Sequence, residues 1–255
     1  IPIMAVSPDG NRVFLGNTNQ IRVWDLRSQT ELDAIRLATT RPLSFVTVSA
    51  QGLLAGAEMG PKVTLWDPVT RQLLHTFENH RGPALSMVFS PDGSYLATGG
   101  LDGNIFLYET RSRELRRRFK GHEGAITDLQ FSSDGRWLVS GCPGDHSVRL
   151  WEVAGPSREE SPVALTNLGR AAPQASLRFT DSNRAVVLYS GDGYVRIDVR
   201  TGTVRPLPIG PVPAANSSNA PVGPAAISPD GSRAAALSED NRSLRIWNIL
   251  TGGEE

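Results

Sequence analysis

The chain is 255 residues long, 39% hydrophobic and 20% charged, with 26 basic and 26 acidic residues and therefore no net charge. That length can bury a large core, while the balanced charge supplies no overall field for nucleic acid or an acidic membrane. Cys142 is the only cysteine, which excludes an intramolecular disulfide framework and a cysteine-based zinc cluster, and no run of 18 apolar residues offers a membrane span.

The chain opens on Ile1-Pro2, with no initiating Met and no basic-then-apolar leader. The expectation is a piece of a longer protein whose targeting signal is out of view. The compartment is unknown from these residues, with the cytoplasm favoured. The first recurring element is a turn: Ser7-Pro8-Asp9-Gly10, Ser49-Ala50-Gln51-Gly52, Ser90-Pro91-Asp92-Gly93, Ser132-Ser133-Asp134-Gly135, Thr180-Asp181-Ser182-Asn183 and Ser228-Pro229-Asp230-Gly231. Ser first, Pro with its fixed φ second and Gly last suit a type I turn. The intervals between turns are 42, 41, 42, 48 and 48 residues. Self-similarity at such a period marks a solenoid or propeller whose units need their neighbours to bury a core.

Each turn, the a–b turn, follows a first run, a, and is followed by a short apolar run, b, and then by a run, c, with the period-two alternation of a strand. The c runs are Ile21–Trp24, Val63–Trp66, Ile105–Tyr108, Val148–Trp151 and Leu244–Trp247; in repeat five Ile197-Asp198 stands where an aromatic-acid pair is expected. A Ser or Thr (Ser28, Thr70, Ser112, Thr201, Thr251) then opens a turn into a weaker run, d, clearest at Leu73–Phe77 and Leu115–Phe119. Repeat six stops before its d run. Residues 154–174 lengthen the link from repeat four to repeat five, and residues 206–224 hold six prolines among small polar residues, the composition of an extended surface loop.

The fullest copy is residues 121–152, GHEGAITDLQFSSDGRWLVSGCPGDHSVRLWE. Its Gly-His, Ser-x-Asp-Gly, Asp and Trp-acid positions resemble a WD40 repeat. The resemblance implies an all-β chain, a β-propeller of four-stranded antiparallel blades, with six blades encoded and the last lacking its outer strand. Residues 1–255 then form one domain with repeats at about 1–38, 39–78, 79–120, 121–168, 169–208 and 222–255. Family members usually close with seven blades, so closure is left open between six blades and a ring completed from outside this chain.

His122, Ser140 and Asp145 could be mistaken for a catalytic triad. In the WD40 family the corresponding residues and the Trp, here Trp151, form a hydrogen-bond chain inside the blade. Burial favours that reading, since a buried His or Asp is costly unpaired and nearly balanced when every donor finds an acceptor. Repeat three carries a variant of the set: His80, Thr98, Asp102 and Tyr108. The four histidines, His75, His80, His122 and His146, lack the close spacing of a zinc site, and there is no phosphate-binding loop and no Gly-x-Ser-x-Gly turn. No catalytic residue, metal or cofactor is assigned. Cys142 is read as a small buried residue.

The run from Arg111 to Lys120 is the strongest local charge feature. It lacks interleaved aromatics for base stacking and reads as an outer strand whose arginines discourage edge pairing, not as a nucleic-acid site. The function expected from the resemblance is a non-catalytic scaffold or sensor that binds a protein or peptide. The face implied carries the d–a and b–c loops, with Arg81 and Glu123 beside the histidines and Leu101, Gly144, Asp145, Asp192 and Glu239 around the b–c turns. Bacterial members of the family are often joined to a signalling domain such as a kinase or NTPase. The rival class is an enzyme, a hydrolase or lyase with converging polar residues at the central channel.

Overall fold

The computed structural model describes residues 3–17, 20–37, 41–154, 163–165, 177–180, 183–190, 193–206, 226–228, 232–237 and 244–248. These residues form antiparallel β-meanders, each in chain order. The first sheet holds β1 (Ile3–Val6), β2 (Arg12–Gly16), β3 (Gln20–Asp25) and β4 (Thr30–Arg36); the second holds β5 (Leu43–Val48), β6 (Leu54–Glu58), β7 (Val63–Asp67) and β8 (Gln72–Phe77). The third holds β9 (Ala84–Phe89), β10 (Tyr95–Gly100), β11 (Ile105–Glu109) and β12 (Leu115–Phe119); the fourth β13 (Asp128–Phe131), β14 (Trp137–Cys142), β15 (Ser147–Glu152) and β16 (Val163–Leu165). The fifth holds β17 (Leu177–Thr180), β18 (Ala185–Ser190), β19 (Gly193–Asp198) and β20 (Val204–Pro206), and the sixth, three-stranded, β21 (Ala226–Ile227), β22 (Arg233–Leu237) and β23 (Leu244–Asn248). These are the blades of a propeller-type, all-β architecture, and the sixth has no outer strand among the described residues. One short strand, β16, falls inside the segment read as a lengthened link and pairs with β15. The Pro-rich stretch lies outside the described residues from 207 to 224.

The turn chemistry accounts for the spacing. In the first four sheets the Gly N–H bonds back to the Ser carbonyl three residues earlier, at 2.8–2.9 Å, and each Gly takes a positive φ that suits a residue without Cβ. The Ser hydroxyl then accepts the first N–H of the next strand, as Ser90 does from Tyr95 at 2.9 Å and Ser132 from Trp137 at 2.9 Å. The c–d turn uses its acid in the same way: Asp67 Oδ1 accepts the N–H groups of Val69 and Thr70, and Asp25 those of Arg27 and Ser28. The residue after that Ser or Thr is left-handed, at Gln29, Arg71, Arg113 and Gly202, a feature the sequence pattern does not announce at the three non-glycine positions.

Successive first strands lie side by side, β1 by β5, β5 by β9, β9 by β13 and β13 by β17. Four apolar clusters each span two consecutive sheets. A sheet covered on both sides loses the alternation of a half-exposed strand. In β7 and β11 four consecutive residues, Val63–Trp66 and Ile105–Tyr108, are buried, whereas β3 of the first sheet keeps an alternating pattern. Between the second and third sheets the Phe77 ring stacks on Tyr108, with centroids 3.9 Å apart.

Polar straps reinforce these contacts. Arg71 reaches back to Asp33 of the first sheet at 2.8 Å, and Arg113 to the Leu74 carbonyl of the second at 3.0 Å. Arg117, on the buried side of β12, donates to the Glu152 carbonyl of the fourth sheet at 2.6 Å, and Arg118 donates to Asn104. Two arginines of the run, Arg113 and Arg117, thus hold sheets together, while Arg118 ties β12 to the b–c turn of its own sheet. Phe119 within it is 3% exposed and packs beside Trp151.

Asp128 and Gln130 of β13 stitch the fourth sheet to the fifth, accepting the N–H groups of Leu177 at 2.7 Å and Phe179 at 2.9 Å. Burial between the strands pushes the Asp128 carboxyl up to about 6, against the opposing bond from Leu177 and the charge of Arg178. A carboxyl whose folded pKa lies above its unfolded value of 3.8 takes stability away as pH rises from about 4 to about 6. Asp128→Asn keeps an oxygen for Leu177 and removes the charge. It is expected to raise stability at pH 7 by about 1–2 kcal/mol and to be neutral at pH 4. Thermal unfolding of both proteins across that range checks this, and parallel curves would contradict it.

Candidate functional site

The site grows from the b–c turn of the third and fourth sheets. There an Asp closes a tight turn and faces the loop that enters the same sheet from its predecessor. In the fourth sheet His122 Nε2 lies 2.7 Å from Ser140 Oγ, and Ser140 accepts the Trp151 indole N–H at 2.8 Å. His122 Nδ1 lies 2.8 Å from Asp145 Oδ2, which also accepts the Glu123 backbone N–H at 3.1 Å. Ser147 completes the set, its hydroxyl 2.7 Å from Asp145 Oδ1 and 3.2 Å from His122 Nδ1. The third sheet repeats the geometry: His80 bonds Thr98 at 2.8 Å and Asp102 at 3.1 Å, and Asp102 accepts the Arg81 N–H at 2.9 Å.

Tyr108 reaches further than an indole nitrogen does. Its hydroxyl donates to Asn79 at 3.1 Å, with Thr98 also in reach. Asn79 occupies the place taken by Gly121 in the fourth sheet, where the Trp151 ring comes within 3.6 Å of where a Cβ would sit. Gly with Trp and Asn with Tyr are thus two ways of filling one space. Reading positions singly misses Asn79, and only the pairing across 29 residues reveals it. In the second sheet Gly56 stands at the hydroxyl position and the Trp66 ring covers it, 2.9 Å from where a Cβ would be.

Burial lowers both histidines, partly opposed by their aspartates, so the neutral imidazole is favoured. Burial works against the Asp145 carboxylate, but bonds from Ser147, His122 and the Glu123 N–H together hold it down to about 2. Asp102 is lowered in the same way. With the Nδ1–H of the neutral ring given to Asp145, Ser140 donates to His122 Nε2 and accepts the Trp151 indole N–H, and it is fully buried inside the sheet.

Cys142 ends β14 at 2% exposure, and burial pushes its thiol up. One ligand atom each from His122, Cys142 and Asp145 lies within 4.8 Å of the others. A cation there would take the His122 nitrogen that now faces Asp145 and Ser147, and a structural zinc site asks for four protein ligands. Hydrogen bonding accounts for the cluster without one.

The two aspartates tie the b–c turn to the incoming loop, and this places the face residues. Arg81 and Glu123, whose N–H groups the aspartates hold, are exposed, as is Leu101 at 56%. Leu101 N–H bonds the Pro83 carbonyl at 2.9 Å, and its side chain rests on Gly82. Gly144 lies in the turn against Gly124. Asp192 and Glu239 lie outside the described residues. The structure adds Met59, also 56% exposed, at the position of Leu101 in the second sheet, with Arg41 donating to its carbonyl at 3.2 Å. An exposed apolar residue after a b run was the signal available for it.

The family model for the WD domain, G-beta repeat, matches residues 71–109 and 113–152, the stretch that contains both polar sets. These two stretches are similar to WD40 repeats. Two proteins are similar over part of the chain. Protein groucho of Drosophila melanogaster is 29% identical over 99 residues, 37% of this chain and 13% of groucho. An uncharacterized WD repeat-containing protein of Synechocystis, sll1491, is 27% identical over 100 residues, 38% of this chain and 28% of that protein. The chain spans well under a third of the length of either relative. The WD40 matches cover two repeats, while the remaining blades are recognised from the sheets themselves.

Proposed function

We propose that this chain is a non-catalytic protein- or peptide-binding module that works through the face bearing its d–a and b–c loops. The observation that carries the reading is Asp102 and Asp145 each bonding a histidine and the backbone N–H of the following loop residue. Fixed in this way, the loops hold Leu101 and Arg81 in water without having to order them on binding, which lowers the entropic cost of association. Exposed apolar residues beside charged ones on a rigid rim are suited to recognition, and variable loops on a fixed scaffold are where it is usually found. Joined to a signalling domain such as a kinase or NTPase, the module would recruit or sense for it.

The test is affinity capture of partner proteins on the wild-type chain and on the triple variant Arg81→Glu, Leu101→Ser, Glu123→Lys. All three side chains are exposed, so thermal unfolding should be unchanged while the retained proteins are lost. Retention of the same set by both would overturn the face assignment.

A further inference from the structure

The a–b and c–d turns lie at the opposite end of the sheets from the histidine-bearing loops, and between the first three sheets they leave two adjoining clefts. One, of about 480 Å³, lies between the first and second sheets, and one of about 400 Å³ between the second and third. Gln51 and Leu53 line both, with Gln51 donating to the Asp92 carbonyl where they meet, so the two clefts adjoin as one stepped groove across three blades. Val48, Leu53 and Pro68 contribute apolar surface, and Val69 stands at the rim 73% exposed.

Four carboxylates line the groove, Asp9, Asp67, Asp92 and Glu109, against two guanidinium groups, Arg12 and Arg111. Three of the acids are held ionised by bonds within their own turns. The Ser7 hydroxyl and Asn11 bring Asp9 down to about 2, the Val69 and Thr70 N–H groups lower Asp67, and Ser90 and Ser94 lower Asp92. These charges are fixed in place by turns that the fold needs anyway. They cannot swing away from a bound cation, nor readily be neutralised by a proton. A concave, partly apolar strip with an excess of fixed negative charge complements a chain that carries cations on either side of an apolar side chain.

We infer that this groove is a second docking surface, which takes an extended basic segment of a partner protein, with Lys or Arg side chains flanking one of Val, Leu or Ile size. It lies at the other end of the sheets from the Arg81 rim, and it stands independently of the function proposed for that rim.

The probe is a fluorescein-labelled, capped hexapeptide in which two arginines flank a leucine, compared with the same peptide carrying glutamates, by anisotropy against the whole 255-residue chain. The arginine peptide is expected to bind with a Kd of about 1 mM or tighter at low salt and to weaken as salt rises. The glutamate peptide should not bind. Val69→Ser is expected to weaken binding about fivefold by removing the apolar contact, and Arg111→Glu to tighten it about threefold by adding negative charge. Both residues are exposed, so the fold is preserved. The opposite signs distinguish docking in the groove from general attraction to the protein. Equal binding of both peptides, no binding of either, or affinity unmoved by the two groove variants would overturn the inference, as would loss of binding in Arg81→Glu alone.

Discussion

Asp145→Ala is expected to destabilise the chain by about 3 kcal/mol, the range for removing one partner from a largely buried hydrogen-bonded pair. The carboxylate receives His122, the Ser147 hydroxyl and N–H, and the Glu123 N–H. Alanine leaves the Glu123 and Ser147 N–H groups without this acceptor, and the imidazole of His122 is then held through Ser140 and the longer contact to Ser147. Asp145→Asn keeps one acceptor oxygen and should cost about half as much. Urea unfolding measures both, and a loss below about 1 kcal/mol for the alanine variant would show the network to be ornamental. The sign of the acid response follows from the same groups. The histidines are lowered below 6.5, so the unfolded chain takes up protons first, and stability declines as pH falls from about 6.5. Asp145, lowered to about 2, adds a second decline from its unfolded value of 3.8 downward. Asp128 acts in the opposite direction between about 4 and 6, so its removal should make the acid loss easier to see.

Phe77→Ala is expected to cost about 3–4 kcal/mol, with Phe77→Leu near 1 kcal/mol. The ring is 4% exposed, stacks on Tyr108 of the next sheet and borders His75. Truncation leaves a void at the junction of the second and third sheets, where the cluster around Leu65, Met87 and Phe106 has no spare side chain to fill it. Among the described residues each sheet packs chiefly against its neighbours in sequence, so the loss should be local at first. Hydrogen exchange is expected to speed up in β8 and β11 before β14 and β15. Uniform acceleration across all of them would mean that the sheets unfold as one unit.

The amino-acid sequence by itself determined the turns, most of the strands and the spacing of the histidine, hydroxyl, aspartate and aromatic residues in the polar sets. Those signals act over a few residues: a Ser-x-Asp-Gly turn selects its φ values locally, and period-two alternation marks a strand without reference to its partner. His122, Ser140, Asp145 and Trp151 could be named because the repeat fixes their spacing. What only the tertiary structure decided lies between sheets, where contacts join residues far apart in sequence. Arg71 meets Asp33 across 38 residues, Arg113 meets Leu74 across 39, and Asp128 meets Leu177 across 49. No local preference points an arginine at a carbonyl in the preceding blade; the twist and stacking of the sheets bring them together. The same stacking made Asn79 the partner of Tyr108, buried both faces of β7 and β11, and left Met59, Leu101 and Val69 in water. Apolar residues of one type become core or rim according to whether a neighbouring sheet covers them, and that covering is a property of the assembled fold.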